Sequence, residues 1–299
     1  MKKWIDAARL RTLPLSLSGI FLGTLLAIYQ DEFDWIILIL ACLTTLFLQV
    51  LSNYANDYGD GIKGTDDART GEKRAVASGE ITATQMKKAV MITTGLSIVS
   101  AIALLAYSFL PTHWEWFLIF IGLGAASVWA AINYTVGENA YGYRAMGDLF
   151  VFIFFGLVAV MGTYMLYTKS FDPIILYPAS AIGLLSMAVL NLNNMRDLIQ
   201  DKRAGKKTIP ILIGFFYAKN YHGVLMFLPF VLGVLFMLHQ PAFHWFQYIF
   251  LVLIIPASFL MYKVAKTQDY KALDSELKKT ALLTMAFAIL FGLSLILSK

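Results

Sequence analysis

The sequence predicts an all-α integral membrane protein with nine transmembrane helices and two cap loops on the cytoplasmic side. Of its 299 residues, 59% are hydrophobic and only 14% are charged, and the mean hydropathy is +0.67. Soluble domains carry about 25% charged residues. Charge-free stretches of membrane-spanning length recur along the chain, and almost all basic residues lie between alternate stretches. These observations together exclude an ordinary soluble domain.

The helix count follows from the charge-free windows, because a span needs about 20 apolar residues. The seventh window has 43 residues and is interrupted at 239–244 by a polar turn that contains proline, so it predicts two helices. The other windows predict one helix each. The windows are 12–30, 35–56, 89–114, 116–137, 149–168, 173–195, 220–262 and 280–298.

The basic residues predict the orientation. With the N-terminus in the cytoplasm, 22 of the 24 Lys and Arg residues fall on the cytoplasmic side, and only Lys169 and Lys299 fall outside. We therefore expect a multi-pass plasma (inner) membrane protein with the C-terminus outside. The last inner loop, 263–279, is basic without ligand-like spacing and indicates contact with membrane lipids. No nucleic-acid partner is expected.

Two polar motifs follow the second and sixth predicted helices on this side. The first, residues 53–67, reads NYANDYGDGIKGTDD, and the second, residues 193–208, reads NNMRDLIQDKRAGKKT. Asn53 and Asp57 are four residues apart, as are Asn56 and Asp60, and the second motif repeats this spacing. Residues three or four apart share a helix face. If the helices continue past the apolar windows, the two motifs form one acidic mouth, which we expect to open to the cytoplasm.

Close carboxylates repel one another, so such a mouth requires a cation. Oxygen ligands favour Mg²⁺ or Ca²⁺, and Mg²⁺ is commonly shared with a substrate phosphate. The basic residues beside the motifs suit an anion, which together with the acids predicts a Mg²⁺-dependent diphosphate site. The predicted metal ligands are Asn56, Asp57, Asp60, Asn193, Asn194, Asp197 and Asp201.

Two further loops are predicted on the cytoplasmic side, at the same membrane edge as the two motifs. Residues 59–88 form a long, glycine-rich connection that we expect to cover the mouth as a lid, with Thr82 or Thr84 capping the next helix. Residues 134–148, YTVGENAYGYRAMGD, place Tyr134, Tyr143 and Arg144 beside the motifs. Arg144 is either a substrate ligand or an anchor for a lipid phosphate.

A weak parallel repeat relates the two motifs. An offset of 137 residues aligns Asp60 with Asp197 and Asn56 with Asn193. We expect one domain, 1–299, with halves of about 1–137 and 138–280. A cation-coupled transporter remains an alternative, but the acidic groups lie at one membrane edge, whereas transporter ion sites lie near the bilayer midplane.

The sequences of these motifs resemble those of the UbiA superfamily of intramembrane aromatic prenyltransferases. Members of that superfamily carry two Asp-rich motifs after the second and sixth of nine helices. The elements NDYGD-x-x-KG-x-D, YTVG…YGYR-x-x-GD and NN-x-RD-x-x-x-D are similar to the branch that prenylates 1,4-dihydroxy-2-naphthoate. One departure is Gly64, where the superfamily often has a third aspartate. Asp66 comes six residues after Asp60, so whether Asp66 or Asp67 binds metal stays open.

The resemblance implies transfer of a polyprenyl chain from polyprenyl diphosphate to 1,4-dihydroxy-2-naphthoate, with loss of CO₂, to give a demethylmenaquinol of menaquinone biosynthesis. Another aromatic acid, 4-hydroxybenzoate or homogentisate, is the alternative acceptor. Catalytic roles are expected for Asp60, Asp197, Lys63 and Arg144. Substrate-binding roles are expected for Asn53, Arg74, Tyr134, Tyr143, Arg196, Lys206 and Lys207.

Overall fold

The computed structural model describes residues 1–64, 74–240 and 244–299. Within these ranges nine helical segments are long and apolar enough to cross a membrane, and no β-strand is formed, which confirms the predicted all-α architecture of nine membrane-spanning helices. Asp66, Asp67 and part of the predicted 239–244 turn lie outside the described residues. The nine spans, numbered in chain order, are Lys2–Tyr29, Trp35–Ile62, Ala83–Phe109, Trp114–Asn133, Gly147–Thr168, Pro173–Arg196, Ile209–Leu238, Trp245–Lys266 and Leu273–Ile296.

The second span extends past its apolar window and carries most of the first motif in helical form, whereas the second motif begins in the last turn of the sixth span. The second span begins at an N-cap, Asp34, whose side chain accepts the Ile36 N–H, and it continues through the first motif to Ile62. The sixth ends at Arg196, and a short helix, Leu198–Arg203, resumes after Asp197. The Asp201 N–H still donates to the Asp197 carbonyl oxygen at 2.8 Å, so the helical spacing persists across this break.

The sixth span lies at the centre of the bundle, in contact with the first, fifth, seventh and ninth spans. It approaches the fifth span very closely at two glycines. A Cβ atom on Gly156 would lie 2.6 Å from Gly183 Cα, and one on Gly183 would lie 2.7 Å from the Phe152 ring. Small residues allow such close approach between membrane helices. The fifth span is π-helical from Phe152 to Gly162, a form often found near functional sites.

The N-terminal turn of the first span folds against the second span. Its short helix, Lys2–Ala8, ends at Arg9, which has a left-handed backbone with φ of 49°. The Tyr54 hydroxyl donates to the Trp4 carbonyl oxygen at 3.1 Å, and Asn53 Nδ2 donates to the Ala8 carbonyl oxygen at 2.8 Å. These contacts place Arg9 beside the first motif.

The third span opens with the predicted cap. The Thr82 hydroxyl accepts the Gln85 N–H and the Gln85 side chain accepts the Thr82 N–H, each at 3.2 Å. This reciprocal pair satisfies two amides at the helix start. It also fixes where the connection from residue 74 rejoins the bundle.

Candidate active site

A cavity of about 430 Å³ joins both polar motifs at one end of the bundle. Asn53, Asn56 and Asp60 enter it from the second span, and the sixth span and the short helix after it contribute its other acidic wall. The rest of the lining is largely apolar and aromatic. It includes Leu104, Phe120, Phe154, Phe155 and Leu166. The cavity therefore has a charged mouth and an apolar interior.

Asp60 has several side-chain partners at the mouth of the cavity. It is 2% exposed, and it accepts a hydrogen bond from the Tyr143 hydroxyl at 2.7 Å. Lys206 Nζ lies 3.4 Å from Asp60 Oδ2, and Arg74 Nη2 lies 4.0 Å from the same oxygen. Three separate parts of the chain thus converge on this carboxylate.

Lys206 links the two motifs directly. Its Nζ lies 3.4 Å from both Asp60 Oδ2 and Asp201 Oδ1, and it stands 4.9 Å from the centre of the Tyr143 ring. Lys63 lies 4.3 Å from the centre of the same ring and donates to the Thr135 and Gly137 carbonyl oxygens at 2.8 and 2.9 Å. Partial burial lowers the pKa of the Lys63 ammonium, although Asp60 acts in the opposite direction. Tyr143 thus lies between two cations.

Asp57 has different partners from those expected of a metal ligand. Its side chain is buried at 1% exposure, and its Oδ2 and Oδ1 accept the Ala75 and Val76 N–H groups at 3.0 and 2.9 Å. It does not line the cavity. The chain returning from the first motif packs over this side of the helix, so its backbone amides take the carboxylate. Asp57 therefore anchors that segment.

Arg196 also differs from its expected role as a substrate ligand. Its Nε and Nη2 donate to Oδ1 and Oδ2 of Asp197, each at 2.8 Å, and Nη2 donates to Asn193 Oδ1 at 2.8 Å. The side chain is 5% exposed and lies outside the cavity lining. Arg196 stands behind Asp197 and orients it. Asn193, Asn194, Asp197 and Asp201 all line the cavity as expected.

Arg144 and Lys207 lie on the protein surface, outside the cavity. The two residues are joined by a backbone bridge. The Ala145 N–H donates to the Lys207 carbonyl oxygen at 2.6 Å, and the Lys207 N–H donates to the Tyr143 carbonyl oxygen at 3.1 Å. Both side chains are exposed and neither lines the cavity. The Arg144 guanidinium donates to Asn139 Oδ1. The bridge itself matters, because it holds Tyr143 and Lys206 side by side over Asp60.

Tyr134 lines the cavity between these loops and the fourth span. Burial raises the pKa of its hydroxyl well above the ordinary value. The group consequently stays protonated and can only be a hydrogen-bond donor or neutral acceptor at physiological pH. Its ring lies edge-on to that of Tyr141, with 5.3 Å between the centroids.

Arg9 belongs to the cavity wall but was not among the residues expected from the sequence. From the sequence, Arg9 was one of the basic residues expected on the cytoplasmic side. Its position depends on the fold of Lys2–Ala8 against the second span, a contact between segments about 45 residues apart. A left-handed non-glycine residue is a feature that recurs at functional sites. Nothing in the local sequence signals it.

The donor set fits a hard divalent cation bound jointly with a phosphate group. Among the described residues no three His, Cys, Asp or Glu side chains are grouped closely enough to hold a metal on their own. The cavity instead offers carboxylates from both motifs, Asp60, Asp197 and Asp201, with amide oxygens beside them. Mg²⁺ binds in this manner, through one or two carboxylates, retained waters and substrate phosphates.

Comparison with known proteins gives a consistent result. The model of the UbiA prenyltransferase family matches residues 16–288. The 1,4-dihydroxy-2-naphthoate octaprenyltransferases of Haemophilus influenzae and Escherichia coli are each 38% identical to the chain, covering 99% of it and 96% of their own length. A UbiA homolog from Archaeoglobus fulgidus, solved with GPP and Mg²⁺, has a TM-score of 0.67 at 15% identity over 98% of this chain and 99% of its own.

Proposed function

The chain belongs to the UbiA prenyltransferase family, and we propose that it transfers a polyprenyl group from polyprenyl diphosphate to 1,4-dihydroxy-2-naphthoate. The ring carboxylate is lost as CO₂, and the product is a demethylmenaquinol for menaquinone biosynthesis. The observation that carries this proposal is the convergence of Asp60, Asp201 and Lys206 at the mouth of an apolar cavity. Acids for a metal and bases for an anion meet there, next to space for an isoprenoid chain.

In this proposal Asp60, Asp197 and Asp201 would hold Mg²⁺, with Asn56, Asn193 and Asn194 as further oxygen donors. Bound Mg²⁺ supplies charge that stabilises the diphosphate leaving group. Lys206 and Arg74 lie on the cavity side of Asp60 and bind the diphosphate oxygens through charge-assisted hydrogen bonds. Asp57 and Arg196 serve as supports rather than ligands, because neither lines the cavity and their polar atoms are directed at protein partners.

The reaction proceeds by breaking the allylic carbon–oxygen bond, with the electron pair leaving on the diphosphate. The apolar cavity excludes water from the resulting allyl cation, and the rings of Tyr134, Tyr143 and Phe154 in its lining favour a nearby positive charge. The carboxylate-bearing carbon of the electron-rich naphthalene ring then forms the new carbon–carbon bond. As the carboxylate departs as CO₂, its bonding electrons restore the aromatic ring, so no strong protein base is required.

The acceptor carboxylate needs a cationic partner inside the cavity. Arg144 was expected in this role, but its side chain is exposed outside the cavity. We assign the role to Arg9, which lies in the cavity wall. Its fixed position beside the second span keeps one guanidinium at the mouth.

The chain is a multi-pass membrane protein. We place it in the plasma (inner) membrane, and the distribution of Lys and Arg supports an orientation with the N-terminus and the cavity mouth cytoplasmic and the C-terminus outside. Both substrates would then approach without crossing the membrane. The isoprenoid tail would enter from the lipid and the aromatic acid from the cytoplasm.

The decisive experiment follows carboxyl-labelled 1,4-dihydroxy-2-naphthoate with purified protein, Mg²⁺ and a polyprenyl diphosphate. We expect labelled CO₂ to be released in step with consumption of the diphosphate. Prenylation of 4-hydroxybenzoate or homogentisate, with none of the naphthoate, would replace the acceptor and leave the diphosphate site intact. Uptake of Mg²⁺ into liposomes without release of diphosphate would instead support the transporter alternative.

A further inference from the structure

An acidic residue of the last basic loop reaches the site from outside both motifs. Asp274 lies at the start of the ninth span, and its Oδ1 is 2.6 Å from Nη1 of Arg196. Arg196 in turn holds both oxygens of Asp197 through Nε and Nη2, each at 2.8 Å. Arg196 is 5% exposed and Asp274 is 47% exposed, so the chain of contacts runs from the surface inward.

We infer that Asp274 is a positioning residue that acts through Arg196 on Asp197 and so sets the affinity of the site for divalent cations. The inference rests on the proposed function, in which Asp197 is a metal ligand. A guanidinium is planar, and its donors form a rigid fork. Asp274 fixes Nη1, while Asn193 Oδ1 accepts from Nη2 at 2.8 Å. The remaining donor directions therefore hold the Asp197 carboxylate in one orientation.

The charges in this contact chain support the same conclusion. One guanidinium lies between two carboxylates, so the group as a whole carries one excess negative charge. Because Asp274 shares the positive charge, Arg196 does not fully compensate Asp197, which remains a strong ligand for a divalent cation. With a neutral residue at position 274, Arg196 would compensate Asp197 alone. Arg11 adds little, since its Nη1 is 3.9 Å from Asp274 Oδ2 and both side chains are largely exposed.

The same loop provides a matched control. Asp269 is also exposed, and its Oδ1 accepts the N–H of Lys271 at 2.9 Å within the loop. Asp269→Asn removes the same charge from the same segment without touching Arg196. Asp274→Glu keeps the charge and lengthens the side chain by one methylene.

The test measures Mn²⁺ binding, as a probe for Mg²⁺, by electron paramagnetic resonance on the purified full chain with inorganic diphosphate. Removing a residue that orients a metal ligand typically weakens metal binding by 10–100-fold. We expect Asp274→Asn to weaken Mn²⁺ binding about 10-fold, Asp269→Asn to leave it unchanged, and Asp274→Glu to restore most of it. In an Asp197→Asn background, Asp274→Asn should have no additional effect, because its route to the metal is gone.

Several outcomes would overturn the inference. Equal Mn²⁺ affinity in wild type and Asp274→Asn would show that Asp274 has no effect on the metal site. A loss of Mn²⁺ affinity in Asp269→Asn as large as that in Asp274→Asn would indicate a general charge effect. A full additional loss in the Asp197→Asn background would show that Asp274 does not act through Asp197. If the wild-type chain binds no Mn²⁺ with diphosphate, the proposed function itself fails. Thermal unfolding of each variant, recorded beside the binding data, separates loss of the site from loss of the fold.

Discussion

Replacing Asp57 with asparagine distinguishes a metal ligand from a buried anchor. The motif spacing groups Asp57 with Asp60, yet its oxygens accept the Ala75 and Val76 N–H groups at 3.0 and 2.9 Å. A hydrogen bond to a charged group contributes about 1.5–3 kcal/mol. Asparagine retains one acceptor oxygen and turns an NH₂ group towards the other amide. We therefore expect Asp57→Asn to lower the free energy of unfolding by about 1.5–3 kcal/mol, the value of one such bond.

The assay pairs unfolding with a Mg²⁺ titration of turnover in the same purified samples. Asp57→Asn should unfold more readily, while its half-saturating Mg²⁺ concentration stays within about twofold of wild type, a shift of less than about 0.5 kcal/mol. Asp60→Asn, the same substitution one turn further along, should abolish turnover and keep the anchor intact. If Asp57→Asn left stability unchanged and raised the Mg²⁺ requirement about tenfold or more, Asp57 would be a metal ligand and our account of this helix would be wrong.

Three further predictions concern the metal, the diphosphate and the orientation. Chelation by EDTA and the substitution Asp197→Ala should each abolish turnover, with the fold retained in size-exclusion chromatography. Lys206→Met should lower turnover with polyprenyl diphosphate by about 10–100-fold through loss of a charge-assisted contact, whereas Lys207→Met, an exposed neighbour, should match wild type. In a cysteine-free background, a cysteine at Gly205 should be labelled only from the cytoplasmic face and one at Asp172 only from outside; labelling of both from one face would contradict the topology.

The sequence was sufficient for the membrane fold and for the meeting of the two motifs. Hydropathy predicts the membrane-spanning helices directly, because each helix needs about 20 apolar residues to cross the bilayer. The repeated spacing of four, in Asn56–Asp60 and Asp197–Asp201, is a property of one helix face and needs no tertiary information. The contact of Lys206 with Asp60 and Asp201 agrees with the expectation that the motifs share a mouth.

The positions that sequence reasoning missed depend on contacts between distant segments. Asp57 shares its motif with Asp60, but its partners arrive on a loop that returns 18 residues later. Arg9 reaches the cavity only because the N-terminal helix folds onto the second span. Asp274 lies in a loop whose composition indicated lipid contact alone. The periodicity of the local sequence does not predict these contacts, since each depends on how segments distant in the sequence pack together.

Arg144 and Lys207 were expected at the site but do not line the cavity, and one feature of the backbone accounts for both. Tyr143-Arg144 and Lys206-Lys207 meet through a single backbone bridge between Arg144 and Lys207. Adjacent side chains leave the backbone in different directions. With Tyr143 and Lys206 in contact with Asp60, their bridged neighbours Arg144 and Lys207 are exposed. A dipeptide of two candidate ligands can therefore supply only one to the site, and the choice is made by the bridge rather than by the chemistry of the side chain.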